Sequence, residues 1–321
     1  MSHTIETRIT RLLGIRYPFL QGAMAWITGW EIASAVSSVG GLGTIAAATM
    51  KPVELLQEIQ KVRMATESPF AVNIPIRLPS SRDAIEIALA EKVPVVVTSA
   101  GDPMKYTDRL HRAGILVLQV AFSLEMAERC NEAGVDAVIA MGAEAGGNLG
   151  PDELTTMVLV PQLVGISKVP VVAAGGICDA RGFVAALALG ADGIQMGTRI
   201  LATQECTVHT HYKEALLNAR DTDTTVTGRS TGLEFRVLKN ELSRRILEME
   251  RGGKGREEID SESIGGLRRA AVEGDTEKGS LMMGQIAGMI SNVLPVRELF
   301  DHMMADASER IKEMSRLFGS Q

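Results

Sequence analysis

Eight short apolar runs dominate the first two thirds of the chain, each bounded by Gly or Pro and followed by a helix-like segment. They span 18–21, 41–45, 70–74, 93–98, 115–120, 135–140, 170–174 and 192–197. Most are continuous rather than alternating, the pattern of strands buried on both faces. The segments between them, such as 52–63, 81–91 and 123–133, place apolar residues at helical spacing and charges elsewhere. Strands alternating with helices through short connections imply a parallel sheet, and eight such units favour closure into a (β/α)₈ TIM barrel over an open doubly wound sheet.

After residue 198 the texture changes. Residues 207–275 are charged and turn-rich, 279–292 are apolar and small, and 296–317 are amphipathic. The expected organisation is one domain: a barrel over 1–206, a helical C-terminal excursion over the barrel mouth at 207–275, and helices at 276–321 packing back on the barrel. The run at 279–292 reads as core, with a homodimer surface as the alternative.

Composition narrows the function. The net charge of −6 comes from 39 acidic and 33 basic residues mixed along the chain, so no basic face for nucleic acid stands out. The three cysteines, Cys130, Cys178 and Cys206, are widely spaced, which argues against a disulfide framework or a zinc cluster. Neither a signal peptide nor a membrane-spanning run is legible, and the expected location is the cytoplasm.

Polar and glycine residues gather where the strands end, the face on which barrel enzymes build their sites. AAGGI at 173–177 follows the seventh strand and QMGTR at 195–199 the eighth. Glycines there let backbone N–H groups converge on an anion, and these two loops are the usual phosphate site of this fold. Simple tight turns are the bland alternative. QGAM at 21–24 offers bare backbone at Gly22 and a soft wall at Met24, which is equally well plain core.

With these residues in place, the chain resembles the nitronate monooxygenase family, which includes FMN-dependent enoyl-[acyl-carrier-protein] reductases of the FabK type and an NADH:quinone reductase branch. The likeness runs through PFLQGAMAW at 18–26, GGLG at 40–43, PFAVNI at 69–74, EAGG at 144–147, AAGG at 173–176, GAD at 190–192 and QMGTR at 195–199. HYKE at 211–214, ARDTDTT at 219–225 and GSLMMGQIAG at 279–288 look closest to the enoyl reductase branch. The resemblance implies FMN, with Gly22, Ala23 and Met24 along the ring system. It puts Asn73, Asp136 and Gly147 around the flavin, with Gln119 as a further polar contact. Gly175, Gly176, Gln195, Met196, Gly197 and Thr198 then surround the phosphate.

One position departs. Family members characteristically read Glu-Ala-Gly-Gly-His, but the fifth residue here is Asn148. An amide hydrogen-bonds but does not exchange a proton near neutral pH. Glu144, His209 and His211 are the remaining candidates for a proton, besides water. Glu144 as a cap on a loop N–H, and the histidines as surface or hinge residues, are the structural alternatives.

The implied activity is flavin-dependent oxidation–reduction, first as an NAD(P)H-dependent reductase of enoyl thioesters. Nitronate monooxygenase, an NAD(P)H:quinone-type flavin reductase and a catalytically weak flavin-binding protein are the alternatives. An acyl carrier protein, being acidic, would need a basic patch such as Arg236, Lys239, Arg244 and Arg245, or Arg268 and Arg269.

Overall fold

The structure is a computed structural model that describes residues 5–317 and 319. Eight parallel strands form its centre: β1 (Phe19–Gln21), β2 (Gly43–Ala46), β3 (Phe70–Pro75), β4 (Val95–Ser99), β5 (Leu116–Ala121), β6 (Ala137–Met141), β8 (Val171–Ala174) and β9 (Gly193–Met196), with the two-residue strand β7 (Gly147–Asn148) lying outside this sheet. Each neighbour in the order β1-β9-β8-β6-β5-β4-β3-β2 is hydrogen-bonded. The ring closes where Leu20 bridges Leu42: Gln21 N–H donates to Leu42 O at 2.9 Å, and Leu42 N–H donates to Phe19 O at 3.0 Å. The fold is a TIM barrel.

Most strands start one or two residues later than their apolar runs. Local signals set the helices. In the helix Leu124–Ala133, Ser123 caps the first turn by accepting from Met126 N–H, and Gly134 ends it in the left-handed conformation. Both ends follow the usual capping chemistry.

Alternation along each strand divides the core in two. Leu20, Leu42, Ala71, Val97, Leu118 and Ile139 pack together inside the barrel, joined by Ile9, Leu13 and Ile15 from the first helix and the turn after it. Phe19, Ile45, Val72, Val96, Val117 and Val138 have the opposite parity and pack outward with the helices. The first helix, Arg8–Leu13, therefore stoppers the N-terminal end of the barrel. It is pinned by Arg8, whose guanidinium makes paired bonds of 2.9 and 2.7 Å to Asp192.

The C-terminal third departs from expectation twice. The excursion carries helices, but it also holds a hairpin of β10 (Thr224–Thr227) and β11 (Phe235–Leu238). β-branched Thr224, Thr225, Val226 and Thr227 favour that state. β11 also pairs antiparallel with β7, setting Phe235 opposite Asn148 and Arg236 opposite Gly147. The segment expected to continue as helix from 280 is instead extended, with one short 3₁₀ turn at Gln285–Met289. Glycines explain this path. A Cβ on Gly284 would stand 2.6 Å from Glu144 O, and one on Gly146 would stand 2.6 Å from Gly284 N, so the two backbones cross in contact. The final helix, Val296–Leu317, spans the expected residues and buries Leu299, Phe300, Met303 and Met304.

Candidate active site

At the C-terminal end of the barrel lies a cavity of about 510 Å³. Its floor consists of inward-facing residues of successive strands: Gly22, Thr44, Asn73, Val97, Met141 and Gln195. The excursion and the extended segment supply the upper wall through Leu233, Phe235, Leu267, Met282 and Ile286. Chain regions far apart in sequence thus share one chamber.

The expected anion corner is present in form. Gly175 and Gly176 line the cavity with φ of +93° and +73°, values that L side chains rarely adopt. A Cβ on Gly197 would meet nothing nearer than Met24 Sδ at 3.7 Å, so this glycine faces open space. Thr198 is buried, and its Oγ1 accepts from Gly284 N–H at 2.9 Å, which leaves the hydroxyl proton to donate into the corner. Behind it, the Arg199 guanidinium binds Asn292 O and Oδ1 at 3.1 and 2.9 Å. Burial pulls the Arg199 pKa below its ordinary value.

Arg236 is a second buried cation, its guanidinium donating to Ala143 O at 2.9 Å and Thr224 Oγ1 at 3.4 Å. Desolvation lowers its pKa as well. Among the described residues neither arginine forms an ion pair within 4 Å. Each follows a lining residue in the chain, Thr198 or Phe235, but neither guanidinium itself lines the cavity. Arg77 adds an exposed cation to the cavity lining.

Several proposed site residues meet here: Gly22, Ala23, Met24, Asn73, Gly147, Asn148, Gly175, Gly176, Gln195, Met196, Gly197 and Thr198 all line the cavity. Two cofactor residues do not. Gln119 is fully buried on the outward parity of β5, where its Nε2 donates to Val120 O and its Oε1 accepts from Thr98 Oγ1. Asp136 precedes β6 at the opposite, N-terminal end of the barrel and accepts from Val117 N–H while pairing with His111. In both cases strand parity or strand end turns the side chain away from the chamber.

The candidate proton donors resolve in the same way. Glu144 lines the cavity, but its carboxylate accepts the Thr156 N–H at 3.0 and 2.9 Å, and the Thr156 hydroxyl stands within hydrogen-bonding distance of Glu144 Oε2, Ala174 O and Gly175 O. It caps the helix Thr156–Ile166. His209 and His211 lie outside the lining: His209 Nδ1 accepts from His211 N–H, and His211 Nδ1 sits 3.1 Å from Gly274 O. They serve the turn into the helix Thr210–Leu217. Among the described residues the only ionisable side chains on the lining are Glu144 and Arg77. The basic patch also fragments, since Arg236 is buried, Arg245 pairs with Glu262 and Arg268 with Glu273.

Thr44 is the residue that sequence reasoning missed. It is 1% exposed and lines the cavity, and its Oγ1 is the one buried side-chain oxygen or nitrogen among the described residues with no hydrogen-bond partner. Its place two residues after Leu42, on the inward parity of β2, is a signal only once the register is known.

Comparison with known proteins agrees with this architecture. FabK from Thermotoga maritima superposes with a TM-score of 0.95 at 43% identity, covering 98% of this chain and all of that one. A Rhodococcus jostii protein described as (3aS,4S,5R,7aS)-5-hydroxy-7a-methyl-1-oxo-octahydro-1H-indene-4-carboxyl-CoA dehydrogenase is 31% identical, over 98% of this chain and 99% of its own. A probable nitronate monooxygenase of Staphylococcus saprophyticus is 36% identical, over 76% of this chain and 81% of its own. The family model for nitronate monooxygenase matches residues 6–88 and 80–306. The cavity at the barrel mouth is therefore the candidate active site of an oxidoreductase, and the chain belongs to the nitronate monooxygenase family.

Proposed function

We propose that this protein is an FMN-dependent reductase that uses NAD(P)H to saturate an enoyl thioester. The carrying observation is a glycine-lined corner opening into an apolar chamber that offers no imidazole and whose one carboxylate, Glu144, accepts from Thr156 N–H. The corner suits a phosphomonoester: Gly175, Gly176 and Gly197 leave room for it, and Thr198 has a proton to donate. Met24, Phe122, Met141, Phe235 and Met282 give the apolar walls that an acyl chain and a flat ring system both need. FabK, to which the chain is alike along its whole length, supports the thioester reading, as does the relative named for a carboxyl-CoA substrate.

When bound, FMN would supply hydride-transfer chemistry toward the β carbon of the enoyl group, with NAD(P)H as the reductant. The chain's own residues manage the charge that then gathers on the thioester oxygen. Asn148 lines the cavity on a strand paired with β11, and its amide would donate a hydrogen bond to that oxygen. Glu144 is committed to Thr156, so the proton for the α carbon comes from solvent. Leu233 and Phe235 line the chamber on the hairpin side.

Asn148→His tests the division of labour. Introducing an imidazole at this position should raise turnover of enoyl-CoA by up to about 10²-fold, with a new pH dependence near neutrality. Anaerobic stopped-flow reduction by NADH and NADPH, followed by mixing with an enoyl-CoA, gives both rates. A variant with unchanged turnover and an unchanged pH profile would contradict the placement of Asn148 at the reacting atoms. Oxidation of nitronates is the second reading, favoured by the Staphylococcus saprophyticus relative. It predicts bleaching of the flavin by a nitronate and not by NAD(P)H.

A further inference from the structure

The orphaned hydroxyl of Thr44 carries an inference that rests on, and deepens, the FMN reading. A buried hydroxyl without a partner forfeits the hydrogen bonds it makes to water in the unfolded chain, and native cores retain few such groups. Val would fill the same space at no such cost, and neighbouring inward positions hold Ala71, Val95, Val97 and Leu118. The Thr44 backbone is already fixed, since its N–H donates to Gln21 Oε1 at 2.7 Å while Gln21 Nε2 donates to Gly22 O at 2.7 Å. Thr44 therefore lines the chamber with its backbone fixed through Gln21 and its Oγ1 without a partner.

Its place in the ring selects the ligand atom. The anion corner belongs to β8 and β9, and β1 separates β9 from β2. A ligand anchored by phosphate in that corner meets Thr44 with its far portion and not with the phosphate. We propose that Thr44 is a flavin-binding residue whose hydroxyl hydrogen-bonds a polar edge of the isoalloxazine ring.

Two observables separate this role from a structural one, using full-length protein freed of flavin and then titrated. Thr44→Val should bind FMN about tenfold more weakly, the loss expected for one hydrogen bond. It should bind riboflavin, which lacks the phosphate, weaker by the same factor. Thr44→Ser keeps the hydroxyl and should stay within about threefold of the parent, below half of a hydrogen bond's worth on a logarithmic scale. Flavin-free Thr44→Val should melt no lower than the parent, because it replaces an unsatisfied hydroxyl by a methyl group. Unchanged FMN affinity in Thr44→Val, a loss confined to FMN and absent with riboflavin, or a lower melting temperature of the flavin-free variant would each overturn the proposal. Failure of the parent protein to bind FMN at all would instead overturn the proposed function.

Discussion

The two ends of the barrel are made from the same eight strands and do opposite things. At the N-terminal end Ile9, Leu13 and Ile15 fill the interior, and a half-exposed ion pair of Arg8 with Asp192 holds the stopper in place. At the C-terminal end glycines replace side chains, polar groups face inward, and two arginines are buried without ion-pair partners among the described residues. One end converts apolar surface into stability. The other leaves the buried Thr44 hydroxyl unsatisfied and space unfilled, which is sensible only where a ligand completes the structure. Stability and binding should therefore separate by end.

The largest break in that comparison comes from the closed end. Ile9→Ala should remove about 2–5 kcal/mol of stability by opening a cavity under the barrel, yet leave FMN affinity unchanged; thermal denaturation and flavin titration on the same sample check both halves. The mirror substitution is Gly197→Val. Its side chain enters open space in the anion corner, so the flavin-free protein should keep its melting temperature while FMN binding weakens by about 100-fold, in line with the usual cost of overpacking. The double variant sharpens the comparison: if the ends are independent, the two effects add to within about 0.5 kcal/mol.

A smaller effect is expected at Arg236, where Arg236→Met leaves Ala143 O without its donor and removes a buried positive charge next in the chain to Phe235 of the chamber lining. FMN affinity should fall about tenfold, a charge-assisted bond's contribution, and the flavin titration should show less dependence on salt than in the parent. Smallest is Arg8→Ala. With Arg8 47% exposed, its pair with Asp192 should contribute under about 1 kcal/mol and fade at high salt, as denaturant titration at two ionic strengths would show. A large, salt-independent loss would mean that the stopper is held by charge and not by packing.

Legibility followed the same divide. The barrel could be read because its strands are buried on both faces and so leave continuous apolar runs. The glycine corner could be read because it falls at the ends of two of those runs. Parity was not legible in a continuous run, since nothing in the letters marks which neighbour faces inward. A shift of one residue exchanges Gln119 with Val120: Gln119, a flavin contact by resemblance, packs outward, and Val120 lines the chamber. Thr44 was overlooked for the same reason.

The upper wall was the least legible part. The hairpin at 224–238 matters through its pairing with Gly147 and Asn148, almost 90 residues before Phe235 and Arg236, and no local pattern encodes a partner at that distance. The run at 279–292 has apolar and small residues suited to a packed helix. Its glycines instead serve a backbone crossing at Gly146 and Gly284 that only the folded chain reveals. His209 and His211 drew attention as titratable groups but close a turn with Gly274.

A crystal structure of the FMN-loaded protein tests the central claim most directly. The account predicts the phosphate within hydrogen-bonding distance of the Gly176 backbone and the Thr198 hydroxyl, with the ring system lying over the inward residues of β1, β2 and β3. A flavin seated anywhere else, or a phosphate corner filled by side chains when FMN is bound, would contradict it.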